Sequence, residues 1–256
     1  MEEFFSLFIT NWVYALLLIL LGGVAYIIST VGAGGGALMT IPGVSAIVGT
    51  QAVAPIVNLG AFIGRPSRFW LFRKTIDWRI VLYYLPASAT GSFIAAYFFK
   101  KSPIVWLQIL IGLFLISTLI QYKYGKKKSS FPMKRIYFIP IGLIVSLVGT
   151  FTGGMGPVQN PFYLNLKLSK EMMIGTKTAN SFFMGLFQLI GYSSWGLLTK
   201  EMILYGTCLG IGATIGNIIG KKIVVRISEV LFLRFVLIIM VVSGAVLVIK
   251  GILTII

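Results

Sequence analysis

The chain has 256 residues, of which 57% are hydrophobic and 11% are charged. Such a composition is too apolar for a water-soluble core and predicts a polytopic helical membrane protein. The formal net charge of +16 would suggest a nucleic-acid ligand in a soluble protein, but the basic residues fall mainly in short connections between apolar runs, where they orient membrane proteins. We therefore expect the lipid bilayer as a partner and exclude nucleic acid.

Apolar runs close to the roughly 20 residues that a bilayer requires predict eight full transmembrane helices. In chain order they cover residues 9–31, 50–72, 78–99, 103–122, 135–152, 172–196, 201–220 and 229–255. Two further segments, residues 33–48 and 153–168, are rich in glycine and proline and are predicted to be short and broken. The predicted fold class is all-α.

The first broken segment carries five glycines and one proline within residues 31–43. Each glycine costs a helix up to about 1 kcal/mol relative to alanine, and bare backbone amides are costly in hydrocarbon, so such backbone must be buried in protein or line a cavity. The second segment aligns with the first at a constant offset, which pairs Gly153, Gly154 and Pro161 with Gly34, Gly35 and Pro42. One break in each half predicts the binding site of a transporter.

The distribution of basic residues indicates how often the chain crosses the bilayer. If both broken segments cross, 18 of the 22 Lys and Arg residues fall on one side, which fits the positive-inside rule far better than the alternative in which both segments turn back. We therefore favour ten crossings with both termini extracytoplasmic. The charged linker of residues 123–130 is then cytoplasmic.

The two halves of the chain look like copies of one unit. Gly49 and Thr50 match Gly175 and Thr176, in addition to the paired glycine motifs. The predicted organisation is a first repeat of residues 1–124 and a second of residues 125–256, forming one integrated transmembrane domain. Each repeat has about four full helices plus one short broken segment, and because five crossings is an odd number, the two repeats must be inverted relative to each other.

The glycine motif of residues 32–36, Pro42 and the loop of Asp77, Trp78 and Arg79 resemble the TauE/SafE family, also called the 4-toluene sulfonate uptake permease family. The similarity covers nearly the whole chain, although Met155 interrupts the glycine run that the family usually shows in the second half. The resemblance implies transport of small sulfur-containing anions such as sulfite, thiosulfate and sulfonates across the plasma (inner) membrane. Some members export and others import, so the direction is not implied.

The glycine-rich breaks are the first candidates for substrate binding. A break followed by a short helix exposes backbone N–H groups at a helix N-terminus, which suits an oxyanion. The alternative is that the glycines only permit close helix packing. The predicted substrate-binding residues in the breaks are Gly34, Gly35, Gly36, Gly153, Gly154, Gln159 and Asn160.

The helix after each break carries a polar stripe that adds further candidates. Gln51, Asn58 and Arg65 share one helical face, and in the second half Lys177, Asn180 and Gln188 lie on or beside the corresponding face. Polar groups within apolar helices must face the bundle interior or water. For the amides the alternative role is an interhelical hydrogen bond, and for Arg65 and Lys177 it is snorkelling towards a nearby helix end.

The missing residue types exclude several functions. The chain has no histidine and one cysteine, and its six acidic residues fall at or near the ends of the predicted spans, so no metal site, cofactor site or catalytic carboxylate pair is expected at mid-membrane. We expect a secondary transporter of a small anion by alternating access, and not an enzyme. An anion channel could use the same helix-end sites. The sequence leaves open whether the protein acts alone or as a homodimer.

Overall fold

A computed structural model describes residues 12–48, 52–99, 113, 116, 131–152 and 156–255. Within these residues every regular element is helical, which confirms the all-α prediction. The predicted helix at 103–122, the linker at 123–130 and the boundary between the two predicted repeats fall largely or wholly outside the described residues. The helices are α1 (Trp12–Val31), α2 (Gly36–Val48), α3 (Val53–Phe72), α4 (Trp78–Phe99), α5 (Phe138–Thr152), α6 (Asn160–Asn165), α7 (Lys170–Ser194), α8 (Lys200–Val224) and α9 (Glu229–Ile255).

Four of these helices are long and apolar enough to cross a membrane, namely α1, α4, α8 and most of α9. Helices α3 and α7 have 20 and 25 residues, which is long enough to cross a bilayer. Because they carry the polar stripes, they are less apolar than the other four. Helix α5 has 15 residues and follows a 3-10 turn at Arg135–Tyr137. Polar residues inside long helices indicate that α3 and α7 lie in the interior of the bundle.

Helices α1, α3 and α8 form one closely packed group. Gly22 of α1 lies against Leu209 of α8, and eight residues further along, Thr30 lies against Gly220. Gly60 and Gly64 of α3 lie, in that order, against Leu209 and Ala213. The contact positions advance in the same direction along all three helices, so the helices run parallel. Small residues at the contacts let the backbones approach closely, as is typical of membrane bundles.

Helices α4, α5 and α7 form a second group. Tyr84 of α4 lies against Gly142 of α5, and Gly91 lies against Ser146, so these two helices run parallel. The aromatic rings of Phe93 and Phe187 have their centroids 6.4 Å apart. The hydroxyl of Tyr84 also contacts Met184 of α7, and further along both helices Ala96 lies against Gly191. Helix α7 is therefore parallel to α4.

The two groups meet along α3 and α7, which run antiparallel. Near the start of α3, the side-chain amide of Asn58 donates to the hydroxyl of Tyr192, at 2.9 Å. In the middle, the rings of Phe62 and Phe182 stack with centroids 5.3 Å apart. The start of α7 lies against the end of α3, where the hydroxyl of Thr75 donates to the carbonyl of Glu171. The surface between the two groups is therefore the centre of the bundle.

The short helix α2 folds back along α1. Gly36, its first residue, lies beside Ser29, whereas Gly43 lies beside Leu21. The chain therefore returns through part of the bundle between the parallel helices α1 and α3. At 13 residues α2 is about 20 Å long, which is less than the hydrocarbon core of about 30 Å.

The loop between α3 and α4, in the first half of the chain, contacts the second half. Oδ1 of Asp77 accepts from the N–H of Arg79 and so caps the start of α4. Its other oxygen pairs with Nε of Arg135 at 2.9 Å. This basic partner comes from just before α5, so the ion pair joins the loop to the second half of the chain.

Candidate functional site

The first break gains its shape from three consecutive residues with positive φ. Ala33, Gly34 and Gly35 have φ values of 52°, 138° and 96°, in the region that glycine adopts most readily. Helix α1 ends at Val31 and α2 begins at Gly36, so the break is four residues long. Glycine allows this sharp reversal, and Ala33 is held in a conformation that is uncommon for a residue with a side chain. The reversal brings the first turn of α2 into the centre of the bundle.

The second break lies directly against the first. Gly156 begins a 3-10 turn, Gly156–Gln159, that leads into α6. A Cβ added to Gly156 would lie 3.2 Å from the backbone nitrogen of Gly35, so the two backbones are in close contact. The helix that follows has only six residues, against 13 for α2. The two breaks therefore differ in form, and Gly153 and Gly154 lie outside the described residues.

A cavity of about 70 Å³ lies where the two breaks meet α1, α3 and α7. It is lined by backbone of the breaks and by polar and cationic side chains. Seven of the predicted site residues line it, namely Gly34, Gly35, Gly36, Asn58, Arg65, Gln159 and Lys177. Tyr26, Ser29, Arg68, Thr178, Ser181 and Asn217 also line it. The sequence therefore predicted about half of the polar wall.

Three cationic side chains line this cavity, those of Arg65, Arg68 and Lys177. The exposed fractions of Arg68 and Lys177 are 8% and 3%. Nη1 of Arg65 and Nε of Arg68 are buried without a hydrogen-bond partner among the described residues. A buried donor without an acceptor is costly, and more so when it is charged. Both guanidinium groups therefore line the cavity with part of their hydrogen-bonding capacity unused.

Lys177 bridges the two breaks. Its ammonium group donates to the carbonyl oxygen of Ala33 in the first break and to Oδ1 of Asn160 in the second. The side chain does not snorkel to a helix end, which corrects that alternative, because α3 and the breaks enclose this part of α7. Gly34 is part of the same arrangement, since a Cβ there would lie 2.5 Å from Nζ of Lys177.

Among the residues that the structure describes, no acidic side chain lines the cavity. Asp77 pairs with Arg135, and Glu171 lies 3.6 Å from Lys170. The cavity wall thus carries several positive charges that no carboxylate in it neutralises. Among the described residues no group of three His, Cys, Asp or Glu side chains could hold a metal ion. The arrangement is suited to binding an anion.

The remaining predicted site residues lie elsewhere or outside the described part of the chain. Asn180 donates to the hydroxyl of Tyr163 at 2.6 Å, and Gln188 donates to Oγ1 of Thr150 at 3.1 Å. Both are buried and make the interhelical hydrogen bonds that the sequence left open as their alternative role. Asn160 contacts the cavity wall through Lys177. Gln51 lies outside the described residues.

Sequence reasoning missed Arg68, although a signal was present. The stripe on α3 ends with Arg65, and the next residue on the same face is three positions on, at Arg68. Tyr26 and Ser29, likewise three residues apart, lie on one face of α1, but nothing in the sequence indicated that this face meets the cavity. Asn217 connects three helices, since it accepts from Thr30 and donates to the carbonyl of Gly64.

Helices able to span a bilayer, packed around a buried cationic cavity, define the class of the protein as a multi-pass membrane protein with an internal polar site. The family model described as Sulfite exporter TauE/SafE matches residues 18–247. The chain therefore belongs to this family, which confirms the resemblance seen in the glycine motifs. Membership implies a membrane anion exporter and, with the apolar helices, indicates the plasma membrane. Searches of the curated proteins and of the solved structures each gave no significant match.

Proposed function

We propose that this protein is a secondary transporter of a small anion of the sulfur oxyanion or sulfonate class, with the cavity between the two breaks as its substrate site. The observation that carries the proposal is the presence of Arg65, Arg68 and Lys177 around one cavity, with no acidic residue among the described residues of its wall. Several buried charges of one sign are unfavourable without a partner. A bound anion would supply the missing negative charge.

The first turn of α2 supports the same proposal. Gly35, Gly36 and Ala37 line the cavity at the N-terminus of a 13-residue helix. The first N–H groups of a helix have no acceptor within it, and they carry partial positive charge. The guanidinium groups provide a second, independent set of donors. The site as proposed thus combines backbone and side-chain donors, which suits an oxyanion with several acceptor oxygens.

The directions of the helices support two inverted repeats. Helices α1 and α3 of the first half run parallel to α8 of the second, and α5 and α7 of the second half run parallel to α4 of the first. Each half thus contributes its fourth helix to the group formed by its counterpart. Because α1 and α3 are parallel and α2 returns between them, ten crossings fit better than eight helices with two re-entrant loops. An even number of crossings is consistent with both termini being extracytoplasmic.

The same arrangement of helices supports transport by alternating access. The cavity lies between the two three-helix groups, and each group is held together by close glycine contacts. A rocking motion of one group against the other would expose the cavity to each side of the membrane in turn. The main contact between the groups, along α3 and α7, would then have to rearrange during each cycle.

A flux assay in proteoliposomes tests this function. With sulfite as substrate, we expect saturable uptake and trans-stimulation, and we expect Arg68→Met to abolish most of it while Arg226→Met, which removes an exposed arginine, leaves it unchanged. A conductance without saturation or trans-stimulation would identify an anion channel instead. No anion flux from correctly folded protein would refute transport at this site.

A further inference from the structure

We infer that Asn217 of α8 is a positioning residue for anion binding, because it holds the turn of α3 that carries Arg65 and Arg68 against the end of α1. The inference rests on the proposed function, since it concerns how the two arginines of that cavity are aimed. Asn217 lines the same cavity and is fully buried. Helix α8 belongs to the second half of the chain, so a residue of the second half determines the geometry of cations that the first half supplies.

The side-chain amide of Asn217 makes hydrogen bonds to two other helices. Its Nδ2 donates to the carbonyl oxygen of Gly64 at 2.8 Å and to Oγ of Ser67 at 3.2 Å, both on α3. Its Oδ1 accepts from the hydroxyl of Thr30 on α1 at 2.9 Å. An asparagine amide has two N–H groups, and these two acceptors on α3 account for both of them. Asn217 therefore uses its donors to hold α3 and not to contact the ligand directly.

The turn of α3 that Asn217 contacts lacks one of its own backbone hydrogen bonds. Pro66 lies inside this helix and has no backbone N–H, so the carbonyl of Phe62 loses its usual donor four residues further on. Sharp bends in helices commonly occur at such prolines. Gly64 and Ser67, the two residues that accept from Asn217, lie on either side of Pro66. The hydrogen bonds from α8 therefore span the position at which α3 needs support.

Arg65 and Arg68 both depend on this turn for their direction. Nη1 of Arg65 and Nε of Arg68 have no hydrogen-bond partner among the described residues, so no bond at these atoms fixes where the guanidinium groups point. Their placement then follows from the backbone that carries them. Charge-assisted hydrogen bonds require donor and acceptor to lie about 2.7–2.9 Å apart, so a small displacement of the turn weakens the contacts of both arginines with an anion.

The hydrogen bond to Thr30 extends the same arrangement to the first break. Thr30 lies in the last turn of α1, three residues before Ala33, where the positive φ values begin. One amide thus fixes the break and the arginine-bearing turn relative to each other. The alternative is that Asn217 only joins helices, as polar side chains do in many membrane bundles. The two roles differ in whether the effect of Asn217 on binding passes through the arginines.

The test compares sulfite binding and sulfite flux in variants of the full-length protein. Asn217→Leu replaces the amide by an apolar side chain of similar size. We expect it to raise Kd for sulfite at least about fivefold in a calorimetric titration, because the donors of both arginines are displaced. In proteoliposomes the KM should rise by a similar factor, while the maximal rate changes less than about twofold. In an Arg68→Met background the same substitution should raise Kd by less than half that factor, because one of the two arginines that it displaces is gone.

Two further variants separate positioning from folding. Asn165→Leu is the matched control, since Asn165 is also buried and donates to the carbonyl of Pro161, but is not among the residues that line the cavity. It should lower the melting temperature and leave Kd unchanged. Ser67→Ala removes one acceptor of Asn217 and should raise Kd by at least about twofold, even if Asn217→Leu does not fold. Wild-type Kd in the folded Asn217→Leu or Ser67→Ala protein would overturn the inference, as would an equal effect of Asn217→Leu with and without Arg68. If folded wild-type protein binds no sulfite, the proposed function itself fails.

Discussion

Replacing Gly34 by alanine tests whether the first break and Lys177 act together in anion binding. The new Cβ would lie 2.5 Å from Nζ of Lys177 and 3.3 Å from the carbonyl carbon of Gly156. Ordinary contacts require about 3.5–4.0 Å, so the ammonium group must move by about 1 Å. Moving a unit charge from about 3 to about 4 Å from an anion weakens their attraction by about 1.4 kcal/mol at an effective dielectric constant of about 20. We therefore expect sulfite affinity to fall about tenfold.

Stability provides a second readout for the same variant. Gly34 has φ of 138°, where a side chain is strained, and such strain costs about 1–3 kcal/mol. Gly23→Ala is the matched control, since Gly23 lies within α1 and its added Cβ would come no closer than 3.8 Å to Gly212. Alanine there should leave affinity unchanged and can raise the melting temperature, because alanine is the better helix former.

The assays are calorimetric titration with sulfite and thermal unfolding in detergent, for both variants and the wild type. Comparing the two separates a local effect on the site from a general loss of folding. A folded Gly34→Ala protein with unchanged sulfite affinity would refute the role assigned to this break. Such a result would instead favour a substrate site at the polar stripes of α3 and α7.

Three further predictions concern the second break, the acidic residues and the topology. Asn160→Ala removes an acceptor of Lys177 and an amide that can donate to the ligand, so sulfite binding should weaken by roughly 1.5–3 kcal/mol in a titration. Neutralising Glu171 or Glu201 should leave binding intact, because neither lines the cavity; loss of binding in a folded variant would mean that a carboxylate takes part. Reporter fusions should place the C-terminus outside the cytoplasm, and a cytoplasmic C-terminus would contradict ten crossings.

The polar stripes of α3 and α7 show what helical periodicity can predict about a binding site and what it cannot. A spacing of three and four residues shows that Asn58 and Arg65 share a face, and both line the cavity. The same reasoning applied to α7 selected Lys177, which lines the cavity, but also Gln188, which bonds to Thr150. Periodicity identifies the polar face of a helix, but it does not identify the neighbour that each part of this face meets.

The sequence by itself determined the class of the protein, its helical composition and the location of the breaks. These follow from local properties: apolar runs long enough for a bilayer, and glycines that a lipid-facing helix does not tolerate. The family resemblance rested on the same glycine motifs and was confirmed over residues 18–247.

Only the tertiary structure decided which side chains surround one cavity. Arg68 and Tyr26 come from different helices, and Lys177 joins Ala33 and Asn160, residues that are far apart in the chain. Such contacts depend on the packing of parallel and antiparallel helices, which small residues at many positions would permit equally well. The sequence therefore supplies the cationic residues of the site, but long-range packing brings them together around a single cavity.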